Sequence, residues 1–81
     1  MKIHRLKILP KYFKEVENGN KTFEIRKNDR GFKVGEILQL LEYDGKEYTG
    51  KVCTREITYI LANAPKYGLK KGYVILAIQK H

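Results

Sequence analysis

Asn20-Lys21-Thr22-Phe23-Glu24-Ile25-Arg26-Lys27-Asn28-Asp29-Arg30-Gly31-Phe32-Lys33-Val34-Gly35 is the stretch on which the reading of this chain turns. Phe23 and Ile25 alternate with Thr22, Glu24 and Arg26, the period-2 pattern of a half-buried strand. Successive strand side chains point to opposite faces. With Phe23 and Ile25 on the core, Thr22, Glu24 and Arg26 share the other face, and Lys21 enters just ahead of them. One short strand then gathers a hydroxyl, a carboxylate and two cations. The loop after it adds Lys27, Arg30 and Lys33, with Asn28, Asp29 and Gly31 as turn formers. The plain alternative is a solvated sheet face on which Glu24 and Arg26 form an ion pair and nothing more.

Outward from this stretch, the pattern is mainly β. Residues 2–8 read as a strand containing His4. Pro10 suits a first helical turn, where its missing N–H costs nothing. A short helix follows over residues 11–18, with Tyr12, Phe13 and Val16 as its buried stripe and Gly19 as the residue that ends it. Downstream, Val34-Gly35-Glu36 turns into a strand over 37–43, and Asp44-Gly45 marks a hairpin. Residues 48–61 form a strand pattern well beyond the usual ~5–6 residues, which calls for a bulge. Residues 62–72 are a connection rich in Lys and Gly. The apolar run 73–78 reads as a strand buried on both faces, in the middle of the fold. The expected architecture is a single α+β, mainly β domain over residues 1–81: a compact barrel of five strands with one short helix plugging an end. Closing the sheet removes its edges.

Charge is the strongest global signal. Seventeen Lys and Arg against nine Asp and Glu give a net charge of +8. Such a field favours a polyanion, most often nucleic acid. Cys53 is the only cysteine, which excludes a disulfide framework and, with only two histidines, a structural zinc site. No metal or other cofactor is expected. The start of the chain alternates apolar and basic residues, unlike a secretory leader, and nothing approaches the ~20 apolar residues of a membrane span. A cytoplasmic monomer without membrane association is the expectation. Cys53, set in a strand, reads as an inert core thiol.

The spacing Gly19-x-Lys21-Thr22-x-Glu24-x-Arg26 resembles the signature of ASCH domains, relatives of the PUA RNA-binding fold. Lys33-Val34-Gly35-Glu36-Ile37-Leu38 is similar to the step that follows the loop in those proteins. His4-Arg5-Leu6-Lys7-Ile8 and the run from Tyr67 to Leu76 resemble a small, phage- and prophage-associated branch of uncharacterised ASCH-like proteins. The resemblance spans nearly the whole chain. It implies a PUA-like pseudo-barrel with a cleft beside the 21–26 strand that binds RNA or a nucleotide. Lys21, Arg26, Lys27 and Arg30 are then the phosphate contacts, Thr22 and Glu24 lie among them on the binding face, and the loop carries that face on to Lys33. Glu24 is placed to accept from an exocyclic amine or a ribose hydroxyl. Tyr43, Tyr48, Tyr67 and Tyr73 are the stacking candidates.

Two other functions stay open at this level. Some compact ASCH proteins are amidohydrolases acting on a modified cytidine through a Lys, a Thr and a distal Glu. Lys21 matches that lysine, but Glu24 stands at the threonine position and Leu76 near the glutamate position. If there is turnover here, on a nucleoside or on RNA, Lys21 and Glu24 are the acid–base candidates. The other alternative is a protein-interaction module, for which an exposed apolar patch is the sign.

Overall fold

The computed structural model describes residues 2–81. The elements run β1 (Ile3–Ile8), α1 (Pro10–Glu17), β2 (Phe23–Lys27), β3 (Ile37–Tyr43), β4 (Tyr48–Leu61) and β5 (Tyr73–Lys80), with a 3-10 turn at Pro65–Tyr67 before the last strand. All five strands belong to one sheet in the order β1-β3-β4-β5-β2. β1 pairs with β3 in parallel, and the remaining pairs are antiparallel.

The long strand bends the sheet. The first part of β4 pairs with β3, and its later part pairs with β5 from Arg55 onward. The register shifts between Leu41 and Tyr43 against β3, and between Ile57 and Tyr59 against β5. Such irregularities increase local twist and bend a strand. The hairpin into β4 is closed by Asp44, whose Oδ1 accepts from the backbone N–H groups of Lys46 and Glu47 at 2.8 and 2.9 Å. The resulting sheet is a curled half-barrel.

Its concave side holds the core. Leu6 and Ile8, Leu38 and Leu40, Ile57, and then Val74, Leu76 and Ile78 turn inward at alternate positions of their strands. α1 crosses this hollow and drives in Phe13 and Val16, both almost fully buried. A helix of this length stays formed through docking. Its start is set by Pro10, and the Leu9 carbonyl accepts from the N–H groups of Tyr12 and Phe13. Its end rests on Arg55, whose Nη2 donates to the Val16 carbonyl at 3.0 Å. That cation satisfies a last-turn carbonyl and complements the negative end of the helix dipole. Gly19, at φ +87°, then turns the chain out of the helix, a backbone state that favours glycine.

Four expectations need correction. The sheet is not a closed barrel: β1 and β2 remain edge strands that share no ladder. A side-chain bridge spans the gap instead, as the Arg26 Nη2 donates to the Lys7 carbonyl at 2.8 Å. β5 lies between β4 and β2 and buries only its inward residues, leaving Tyr73, Ile75 and Ala77 half-buried on the convex face. Tyr12 is exposed, so the buried stripe of α1 is Phe13 and Val16 alone.

The largest correction concerns β2. Its alternation is as expected, but its faces are exchanged. Glu24 points inward at 4 % exposure, while Phe23 and Ile25 point out. The register explains this. Glu24 is paired with the buried Leu76, whereas Phe23 and Ile25 are paired with Ala77 and Ile75 on the convex face. Paired residues share a face. The inward carboxylate is tolerated at this edge because cations flank it on both sides.

Candidate functional site

Where the half-barrel fails to close, the surface opens into a cleft of about 620 Å³. Its walls come from the end of β1, from α1 and from the 20–26 segment, with Leu9, Tyr12, Phe23 and Ile25 as apolar surface. Lys21, Glu24 and Arg26 form its polar wall. The backbone fixes each of them. Beyond Gly19 the chain doubles back, and the Lys21 N–H donates to the Glu15 carbonyl at 2.8 Å, tying the lysine to the helix end. Glu24 and Arg26 are two residues apart on one strand, so they share its inward face.

Glu24 is the hub. Its Oε1 pairs with the Lys21 ammonium. Its Oε2 accepts from Arg26 Nε at 3.1 Å and from Nη2 at 2.9 Å. Lys21 also donates to the Phe23 carbonyl at 2.7 Å, and its ammonium lies 4.9 Å from the Phe23 ring centre and 5.7 Å from that of Tyr12. A buried carboxylate with both oxygens engaged holds two cations in fixed positions. The cations are not used up. An arginine carries five N–H donors. Three of them are taken by Glu24 and Lys7, and Nη1 has no partner among the described residues. The cluster carries a net positive charge of one, since Lys21 and Arg26 face a single glutamate.

The rim adds acceptors. Glu15 Oε1 accepts from the side-chain amides of Asn20 and Asn18 at 3.1 and 3.2 Å. The Asn20 and Asn18 hydrogen bonds lower the Glu15 pKa. Glu15 and Asn20 both line the cleft.

The other expected site residues fall elsewhere. Thr22 is exposed and contributes its carbonyl to the ladder, accepting from the Ile78 N–H. Lys27, Arg30 and Lys33 are exposed and lie outside the cleft lining. Lys27 continues the outward face of β2. Arg30 and Lys33 sit in the 28–36 loop, which leads to the start of β3 beside Ile3, at the opposite end of β1 from the cleft. His4 is also there. It is buried, its Nε2–H donates to Glu36 Oε1 at 2.7 Å, and its ring packs 4.7 Å from Phe32. The same carboxylate oxygen accepts the Lys33 N–H at 2.9 Å. The His4 hydrogen bond, followed by that from Lys33, lowers the Glu36 pKa.

Of the four stacking candidates, Tyr43 and Tyr48 meet edge to face at 5.1 Å beneath the Lys7 ammonium. Tyr67 is exposed and Tyr73 half-buried. The aromatic walls of the cleft are instead Tyr12 and Phe23, both of which the sequence pattern assigns to the core. An adjoining motif cation was the available signal, since Lys21 stands two residues before Phe23. Cys53 lies in the core, where burial pushes its thiol pKa up. No helix among the described residues is long and apolar enough to cross a membrane.

A curled half-barrel with a largely apolar cleft, charged along one wall, at its unclosed seam defines the class of molecule. Residues 3–78 match the family described as a domain of unknown function, DUF3850, and the chain belongs to that family. It is also similar to the uncharacterized 12.9 kDa protein in GpA 3'region of Escherichia phage P2, with 40% identity over 57 residues. That match covers 70% of this chain and 52% of the phage protein, so the chain spans about half the length of this curated relative.

Proposed function

We propose that this domain binds RNA or a nucleotide in the seam cleft, with Lys21 and Arg26 as its anion-binding groups. The observation that carries the proposal is the Arg26 guanidinium. Glu24 and the Lys7 carbonyl fix its plane, yet Nη1 keeps its donors for a ligand. A pre-oriented guanidinium loses little entropy on binding a phosphate. A cleft of this volume suits a nucleotide-sized ligand, with mostly apolar walls and few convergent polar groups. Glu24 is engaged on both oxygens, so Glu15 and Asn20 take the role of accepting from a base amine or a ribose hydroxyl. Lys27, Arg30, Lys33 and Thr22 lie outside the cleft and serve only a longer strand. The motif from Gly19 to Arg26 supports kinship with ASCH domains and the same reading. Binding is favoured over acyl transfer because the hydroxyl among the lining residues is the Tyr12 phenol, with Thr22 outside.

The test is fluorescence anisotropy with a labelled RNA octamer. Removing Lys21 and Arg26 alone strands Glu24, whereas replacing all members of a buried ion cluster is tolerated far better. The Lys21→Met, Glu24→Leu, Arg26→Met triple variant therefore removes the charge at similar volume, and its fold is checked by NMR before binding is read. It is expected to abolish binding, and the parent's affinity is expected to fall steeply between 50 and 200 mM salt. A triple variant that binds like the parent places the site elsewhere.

A further inference from the structure

We infer that the convex face next to the cleft is a base-stacking platform, so that the ligand is a single-stranded nucleic acid several nucleotides long and not a free nucleotide. This inference rests on the cleft reading above. Exchanging the faces of β2 puts two apolar rows on the outside of the sheet. Phe23, Ala77 and Tyr59 form one row across β2, β5 and β4; Ile25, Ile75 and Leu61 form the next. Tyr59 is 62% exposed, Ile25 54%, Phe23 43% and Leu61 40%. A lone exposed apolar residue needs no explanation, but a contiguous patch marks an interaction surface.

The chemistry of its borders selects the occupant. Lys21 lies over the Phe23 ring at one end. At the other, Lys27 is paired with Tyr73, and Lys70 lies 5.6 Å from the Tyr73 ring centre. Aromatic rings interleaved with lysines suit bases stacking on π-faces while phosphates meet cations. A second copy of this chain would bring the same lysines and the same +8 charge against the patch, whereas a polyanion complements them. The span from β4 to β2 is two strand spacings, about 10 Å, room for two or so unstacked bases. Phe23 and Ile25 also line the cleft. The platform and the Arg26 pocket therefore meet at the β2 edge, and one strand passes from the first to the second.

The experiment compares the RNA octamer with uridine monophosphate. Both are titrated into the parent and into Tyr59→Ala, Tyr59→Phe and Arg26→Ala, with the fold of each variant checked by NMR. Tyr59→Ala is expected to lose about tenfold in octamer affinity, the size of one lost base–aromatic stack. Tyr59→Phe retains it, and neither changes the mononucleotide affinity. Arg26→Ala weakens both ligands. Unchanged octamer affinity in Tyr59→Ala overturns the platform while leaving the cleft reading intact. A Tyr59-dependent dimer in sedimentation, with octamer affinity unchanged, overturns it in favour of a second copy. If Arg26→Ala binds both ligands like the parent while Tyr59→Ala weakens the octamer, the cleft reading fails and the face stands as the site. No binding of either ligand overturns both.

Discussion

Glu24 and Glu36 are both inward-leaning carboxylates paired with a basic side chain, and they sit in opposite regions of the half-barrel. Glu36 lies at the closed end. It accepts from His4 and from the Lys33 backbone, behind the buried ring of Phe32. Glu24 lies at the open seam, where it gathers Lys21 and Arg26 beside a cleft. At the closed end both contacts converge on one oxygen of Glu36, neither His4 nor Glu36 lines the cleft, and what they achieve is a pinned loop. At the seam the arginine retains donors next to open volume. The difference teaches that a buried ionic contact marks a candidate site only when hydrogen-bonding capacity is left over and points at space.

The contrast is most sharply tested by stability. Phe32→Ala removes a buried ring from the closed end and is expected to cost about 3–4 kcal/mol in urea unfolding. The folded fraction should bind ligand like the parent. A loss of affinity in that fraction would join the two regions functionally and break the comparison. Glu24→Ala leaves Lys21 and Arg26 facing each other without their carboxylate. Because both cations are partly exposed, its expected cost is about 2–3 kcal/mol, below that of a fully buried pair, with loosened contact between the β1 and β2 edges. Hydrogen exchange at β1 and β2 amides would show the loosening; parent-like protection in both strands would contradict it.

Acid provides a smaller effect with a defined sign. The folded-state pKa of Glu36 is lowered by the His4 hydrogen bond and then by the Lys33 N–H. A group depressed in the folded state contributes stability above its unfolded value of about 4.3 and loses it as pH falls through the folded value. Glu15, held down by Asn20 and Asn18, and Asp44, held down by the Glu47 and Lys46 N–H groups, act in the same direction. Stability should therefore decline below roughly pH 4.3. Glu36→Gln should decline less over that window. An acid limb as steep as the parent's would remove Glu36 from the account. The smallest expected effect is that of Ile25→Thr, within about 0.5 kcal/mol of the parent, because Ile25 is on the outer face of β2. A loss of several kcal/mol would return Ile25 to the core and undo the exchanged faces.

Much of the fold is legible in the sequence. Pro10 and Gly19 bracket the helix, Asp44-Gly45 gives the hairpin, and the length of the 48–61 pattern calls for its bulge. These signals are local, written in fixed φ, turn chemistry and side-chain period. The face of β2 is not legible, because a period of two fixes which residues go together and not which set goes in. That choice is made by the pairing of Glu24 with Leu76, a contact far along the chain. The same limit applies to Tyr12, which shares the helical stripe with Phe13 but reaches the seam. Lys21, Glu24 and Arg26 are correctly gathered by the strand pattern. Lys27, Arg30 and Lys33 are not, because the loop carries two of them to the other end of β1 and Lys27 faces outward.

The most direct test of the seam as the binding site is a backbone-amide NMR titration of the whole chain with the RNA octamer. Shifts should concentrate on Tyr12 and residues 20–26, extending to 59–61 and 75–77 where the octamer crosses the convex face, while the amides of residues 28–36 around the His4–Glu36 contact stay in place. Shifts centred on residues 28–36, or none anywhere at saturating RNA, would contradict the assignment of function to the unclosed seam.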